Sequence, residues 1–214
     1  MSTLPVIETF SSLQGESTHA GRRCFFIRLS QCNLRCNYCD TTYAWDGGTP
    51  REIGELAAEA AASGMDIVEV TGGEPLIHPE TPELIRELLK TGMEVLIETN
   101  GSMDISVLPY ECRKIVDCKT PGSGMAERNR WENFAVLAPH DEVKFVVSSP
   151  EDFHWSLDVI DRYRLSEKTA HLIFSPVWGR ISFEELAALV TECRQPVRMQ
   201  LQMHKLIWGD KKGV

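Results

Sequence analysis

Short apolar runs alternate along the chain with stretches whose apolar positions recur every three or four residues, the pattern of strands exchanging with helices. The run Cys24-Phe25-Phe26-Ile27-Arg28-Leu29-Ser30 predicts a first strand. Residues 51–63, rich in alanine and glutamate, predict a helix that stops at Gly64. Residues 66–71 predict a strand ending in a glycine-rich turn. Residues 82–90 then predict a helix with Thr81 as N-cap, Pro82 at its first position and Gly92 beyond its end. Further strands are predicted over 94–99, 114–119, 142–147, 170–175 and 197–201, with helices over 151–163 and 182–193.

Strands that alternate with helices pair in parallel through right-handed crossovers. The strand count predicts an α/β fold of the incomplete, TIM-like barrel type, because a full eightfold barrel needs about 250 residues. A flat doubly wound sheet is the architectural alternative. At 214 residues the chain has room for one sizeable core, so residues 1–214 are expected to form a single domain. In either architecture, ligands bind at the carboxyl ends of the parallel strands. Thr71-Gly72-Gly73-Glu74-Pro75, Thr99-Asn100, Cys118-Lys119 and Ser175-Pro176 all fall at such ends.

The net charge of -9 argues against a broad phosphate-binding face, so direct nucleic-acid binding is not expected. No apolar run approaches the roughly 20 residues that span a bilayer. The first residues lack the basic and apolar regions of a secretory signal, which places the expected location in the cytoplasm. Seven cysteines, an odd number, do not suit a secreted disulfide framework. Cys24, Cys112, Cys118 and Cys193 are scattered and read as small buried hydrophobes or free thiols.

The remaining three are packed into Cys32-Asn33-Leu34-Arg35-Cys36-Asn37-Tyr38-Cys39, directly after the first predicted strand. A structural zinc site closes its shell with a fourth ligand, commonly from a second Cys-x-x-Cys or a His pair, and neither is present. Three thiolates can instead hold an iron–sulfur cube by three irons and leave the fourth open to a ligand.

This spacing, with an aromatic residue before the last cysteine, resembles the signature of the radical S-adenosylmethionine (SAM) enzymes. The resemblance implies a [4Fe–4S] cluster on Cys32, Cys36 and Cys39, whose open iron chelates SAM and generates a 5′-deoxyadenosyl radical. It also implies a full or partial α/β barrel. Gly73 and Glu74 sit in a turn that resembles the family's Gly-Gly-Glu-Pro motif. Its glycines would let the backbone approach a ligand, and its carbonyls and Glu74 could accept from an ammonium. By the same resemblance Tyr38 lies beside the adenine, and Asn100, Cys118, Lys119 and Ser175 touch SAM. Each of these four serves equally well as a strand-end cap.

The flanking segments resemble one branch of that superfamily, the 7-carboxy-7-deazaguanine synthases, over nearly the whole chain. Glu8 to Glu16, Arg28, the Cys39-Asp40-Thr41 junction and Leu201-Gln202-Met203-His204-Lys205 carry the likeness. It implies ring contraction of 6-carboxy-5,6,7,8-tetrahydropterin with loss of ammonia, in 7-deazapurine (queuosine precursor) biosynthesis. Leu13, Gln14, Gly15, Glu16, Arg28, Thr71 and His204 would hold the pterin, and Thr41 would bind Mg²⁺. An electron donor such as flavodoxin or ferredoxin and a homodimer are implied as well. The segment from Trp208 to Val214 extends past the motif, and no substrate contact is carried to Val214. On the cysteine loop alone, two other readings stay open. One is a radical activase that takes hydrogen from a glycine of a partner protein; the other is a non-catalytic iron–sulfur protein.

Overall fold

The computed structural model describes residues 2–209 and 211–214. It opens with β1 (Thr3–Leu13), β2 (Arg23–Leu29) and β3 (Thr49–Glu52), followed by α1 (Ile53–Ala62). Next come β4 (Ile67–Gly72), α2 (Thr81–Lys90), β5 (Glu94–Thr99), β6 (Arg113–Asp117) and β7 (Glu142–Val147). The chain closes with α3 (Pro150–Tyr163), β8 (Leu172–Pro176), α4 (Phe183–Glu192), β9 (Val197–Met199) and α5 (Met203–Trp208). All nine strands join one open sheet in the order β3-β1-β2-β4-β5-β6-β7-β8-β9. From β2 to β9 every pairing is parallel, which gives the partial barrel. No described helix is long and apolar enough to cross a membrane.

The two faces of this sheet differ in chemistry. Outward positions such as Ile27, Val70 and Ile97 pack against α1 and α2, while Phe145 and Phe174 pack with Phe153 of α3 and Leu186 of α4. Inside, Cys24, Phe26, Ile67, Leu96 and Ile115 form an apolar layer at the amino-terminal end. Further along the strands the inward positions become polar: Arg28, Glu69, Thr71, Glu98, Asp117 and Lys144. A side-chain period of two puts these groups on one face.

Several elements differ from expectation. Residues 8–13 belong to an edge hairpin, with β1 antiparallel to both β2 and β3. Their polar–apolar mixture suits a strand half exposed to water. The helix expected from residue 51 begins at Ile53, because Thr49–Glu52 pair with β1 as β3. Thr81 lies within α2 rather than capping it; its hydroxyl donates to the Pro75 carbonyl at 2.6 Å. The crossovers from β5 to β6 and from β6 to β7 use short 3₁₀ turns instead of α-helices. Helix α5 was not expected.

The barrel's open side is closed by irregular chain. Residues 14–22 run from the end of β1 beneath the barrel interior. There Thr18 donates to Glu142 at the start of β7, and His19 meets Glu94 at the start of β5 at 2.7 Å. The segment after β9 joins them: Gln200 Nε2 donates to the Ser17 carbonyl at 2.7 Å and Met203 N to the Gly15 carbonyl at 3.0 Å.

Candidate active site

The cysteine loop is shaped by its first turn. Gln31 adopts a left-handed φ of 70°, its N–H bonds the Ala44 carbonyl at 2.7 Å, and its carbonyl accepts from Glu74 N at 2.8 Å. Gly72 and Gly73 make that last contact possible. A methyl group on Gly72 would collide with the Leu29 carbonyl oxygen. One on Gly73 would collide with the Gln31 carbonyl and lie 2.9 Å from Cys32 Cβ. The glycines thus seat the turn against the cysteine loop, a closer constraint than the ligand approach expected of them.

Cys32, Cys36 and Cys39 border a cavity of about 310 Å³ that descends into the barrel. Burial pushes the Cys36 and Cys39 thiols above the ordinary range, while the Lys119 ammonium near Cys36 opposes the shift. Leu34 N and Asn100 Nδ2 point at the Cys32 sulfur from 3.4 and 3.7 Å. A second cavity of about 290 Å³ adjoins the first at Tyr38, Cys39 and Asp40, and is lined also by Val177, Trp178 and Arg180.

The deep end is a charged floor. Lys144 Nζ donates to Glu16 Oε2 at 2.8 Å and also to Glu98 Oε1. Burial works against the Lys144 ammonium, but the two carboxylates outweigh it and its pKa lies well above the ordinary value. Burial likewise opposes ionisation of Glu16; Lys144 wins, and the Glu16 pKa is lowered. Glu69 has no such cation of its own, so burial and the Glu98 charge hold its carboxyl well above the usual range. Asp117 pairs with Lys119 at 2.7 Å on the wall beside Cys36.

Most of the residues expected at the site do border this cavity. Leu13, Gln14, Gly15, Glu16, Arg28, Thr71 and His204 line it with the cysteines, Tyr38, Thr41, Gly73, Asn100 and Lys119. Arg28 faces inward: its Nε donates to Glu8 Oε1 at 2.7 Å, and its guanidinium lies 5.8 Å from the ring centres of Phe10 and Tyr43. Gly15 makes room for His204, whose Nδ1 would lie 2.5 Å from a Cβ there. Thr41 Oγ1 donates to Asp40 Oδ1 at 3.0 Å, and Asp40 pairs with Lys205 at 2.7 Å.

Three residues expected to touch SAM line neither cavity. Glu74 is fully buried and borders neither cavity; its carboxylate accepts from Leu76 N, Thr99 Oγ1 and Asn100 N, tying the turn to the end of β5. Cys118 points outward into the core against α3 and α4, since it shares the parity of Val116 rather than that of Asp117 and Lys119. Ser175 is buried with an unpartnered hydroxyl and borders neither cavity. Conversely Glu69, Glu98, Asp117 and Lys144 were not expected, although each is a charge directly preceded by an apolar strand residue, as Arg28 is. The tail also turns back to the cavity, where Lys211, Lys212, Gly213 and Val214 line the mouth.

A family model described as the radical SAM superfamily matches residues 27–193. A 7-carboxy-7-deazaguanine synthase of Koribacter versatilis is 38% identical, covering 99% of this chain and 100% of its own length. One of Chlorobaculum tepidum is 40% identical, with 99% and 97% covered. The chain belongs to the radical SAM superfamily and, within it, to the 7-carboxy-7-deazaguanine synthase family. A crystal structure of QueE from Escherichia coli shares the fold, with a TM-score of 0.76 at 21% identity over 94% of this chain and 95% of that one.

Membership of the synthase family brings a [4Fe–4S] cluster and SAM, and the residues present fit both. Among the described residues no three His, Cys, Asp or Glu side chains converge on one ion. The spread of the three thiols suits a cube, which offers each thiolate a separate iron. N–H groups aimed at the Cys32 sulfur and the ammonium beside Cys36 suit a thiolate-bound cluster. The adjoining cavity, with Tyr38 and Trp178 in its lining, offers aromatic faces of the kind on which a nucleoside base stacks.

Proposed function

We propose that this chain acts as one domain to convert 6-carboxy-5,6,7,8-tetrahydropterin to 7-carboxy-7-deazaguanine, a change equal to the loss of one ammonia. One observation carries the reading: a single cavity joins the cysteine triplet at its mouth to Gln14, Glu16, Arg28 and Thr71 within. When bound, the cluster and SAM supply the one-electron chemistry that removes a hydrogen atom from C6 of the pterin.

The chain's own residues do the rest. Cys32, Cys36 and Cys39 hold the cluster, and Asn100 braces the loop through Asn33 Oδ1 at 3.0 Å. Arg28 keeps its terminal N–H groups free for the substrate carboxylate while Glu8 fixes its Nε. Gln14, Glu16 and Thr71 present donors and acceptors to the pyrimidine ring. Lys144 stays protonated and keeps Glu16 in place. Tyr38, Gly73, Asn100 and Lys119 border the space for SAM, and His204 packs on Gly15 at the pterin end.

Thr41 and Asp40 supply hard oxygen beside the last cysteine, which supports Mg²⁺ shared with the substrate carboxylate. A flavodoxin- or ferredoxin-type electron donor and a homodimer are what the family resemblance implies, and a cytoplasmic location is proposed with them. The decisive experiment incubates anaerobic, cluster-loaded protein with SAM, reductant, Mg²⁺ and the carboxypterin, and looks for the deazaguanine acid by mass and absorbance. SAM cleavage without that product, at any pterin concentration, would sink the proposal.

A further inference from the structure

Three carboxyl groups and one ammonium meet at the deep end of the cavity, and their hydrogen bonds are unequally shared. Both oxygens of Glu16 are engaged, by Lys144 and by Gln202 Nε2 at 2.8 Å. Both oxygens of Glu98 are engaged as well, by Lys144 and by Thr71 Oγ1 at 3.4 Å. Glu69 is different. It sits in β4 in register with Phe26 and Leu96, is 2% exposed, and borders the cavity. Among the described residues its one side-chain hydrogen bond comes from Gln14 Nε2 to Oε2.

A carboxyl between apolar neighbours costs free energy unless its oxygens find donors. The fold gives Glu69 one donor where it can accept several. The groups facing it from the surrounding elements are Gln14 and Glu16 of the floor, Arg28 and Cys24 of β2, Glu98 of β5 and Lys144 of β7. Lys144 is already shared between Glu16 and Glu98, and Arg28, held by Glu8 through Nε, makes no hydrogen bond to Glu69. Among the described residues Oε1 of Glu69 therefore has no donor, and it stays open to donors that a ligand brings.

Resting on the pterin reading above, we propose that Glu69 is a substrate-specificity residue whose carboxyl takes the exocyclic amine and adjacent ring nitrogen of a 2-amino-4-oxopyrimidine. That N–C–N edge is planar and matches a carboxylate with two parallel hydrogen bonds, as a guanidinium does; its two donors favour the ionised form that burial alone disfavours, so Glu69 gives up its proton as the ligand binds. The pairing also orients the ligand. Its donor-rich ring enters the acidic floor, and its own carboxylate points toward Arg28.

Equilibrium binding to the full-length, cluster-loaded protein with SAM tests this, using 6-carboxypterin and its 2-desamino counterpart. The wild type should prefer the aminated ligand by roughly 5- to 150-fold, the discrimination of one good bidentate pair. Glu69→Leu removes the carboxyl without leaving a buried polar group at that position, and should bring the preference to within about twofold. Iron content and SAM affinity should not change. A role confined to supporting Gln14 would weaken both ligands alike and leave the ratio as in the wild type, which overturns the inference. A ligand series read on the wild type alone keeps the test independent of the variant's folding. There 6-carboxylumazine, with oxygen in place of the amine, should bind more weakly than the desamino compound, because it sets an acceptor against a carboxyl. Equal affinity for all three ligands overturns the role of Glu69 while the turnover assay still stands. A wild type that binds none of them overturns this inference and the pterin reading together.

Discussion

Replacing Lys144 by methionine probes the floor of the cavity most directly. The side chain of Lys144 is 4% exposed and bonds Glu16, 16% exposed, and Glu98, 30% exposed. Removing one partner of a buried ion pair costs about 3–5 kcal/mol, because the remaining charges lose their compensation. Solvent at Glu98 relieves part of that, so the expected loss is near the lower bound, about 3 kcal/mol, or about 6–12 °C in melting temperature for a chain of this size. The deficit should depend on pH. The lowered pKa of Glu16 contributes stability that is complete above its unfolded value, about 4.3, and is lost as pH falls through the folded value. The raised pKa of Lys144 contributes stability that is complete below about 10.4 and is lost as pH rises through its folded value. In Lys144→Met the carboxylates are left buried without a cation, so their affinity for protons rises. The gap to wild type should therefore be widest near pH 8 and narrow toward pH 5. Urea denaturation at both pH values measures it, and adding Glu16→Gln with Glu98→Gln should restore most of the loss. A deficit below about 1 kcal/mol at pH 8, or one that does not change with pH, would refute the reasoning.

Three further outcomes follow from the site. Gly73→Ala forces a methyl group against the Gln31 carbonyl and Cys32 Cβ, so iron content after reconstitution should fall and the melting temperature should drop; a variant with full iron and an unchanged melting curve would contradict the seating role of the turn. Arg28→Met should raise KM for the carboxypterin at least tenfold while leaving uncoupled SAM cleavage near wild type, as a steady-state and single-turnover comparison would show. Thr41→Ala should abolish the stimulation of turnover by Mg²⁺ and leave the cluster's absorbance intact; loss of the cluster in that variant would make Thr41 a structural residue.

Periodicity located most of the parallel strands because their outward faces are continuous apolar stripes that must pack on helices. It did not reveal the direction of individual strand residues. In Ile115-Val116-Asp117-Cys118-Lys119 both faces are largely buried, so the sequence carries no clean alternation and the outward parity of Cys118 becomes visible only in the register with β7. A different signal was available and general. Arg28, Glu69, Glu98, Asp117 and Lys144 are charges that each follow an apolar residue in five different strands, and each one lines the cavity. Their partnerships could not be read locally: Lys144 and Glu16 are 128 positions apart, and Gln14 and Glu69 are 55 apart.

The segments that escaped periodicity are those that complete the site. A parallel sheet that stops short of closure leaves an open side, and here the two edge strands are β3 and β9. In this chain, non-repeating residues fill it: Gln202 Nε2 bonds Glu16 Oε1 at 2.8 Å, Met203 N bonds the Gly15 carbonyl at 3.0 Å, and His204 rests where Gly15 has no side chain. Residues 14–16, Gln202 and His204 therefore carry two duties, joining the two sides of the barrel and lining the cavity. Such a seam has no core of its own to hold it, so its stability comes from a few hydrogen bonds and from whatever occupies the cavity. By linkage, a ligand that touches Gln14, Glu16 and His204 would stabilise the seam, and a change that weakens the seam would lower affinity for that ligand. Gly15→Ala, which pushes His204 aside, should on that basis weaken carboxypterin binding and increase hydrogen exchange in residues 200–208 together. A change in one without the other would separate the two duties.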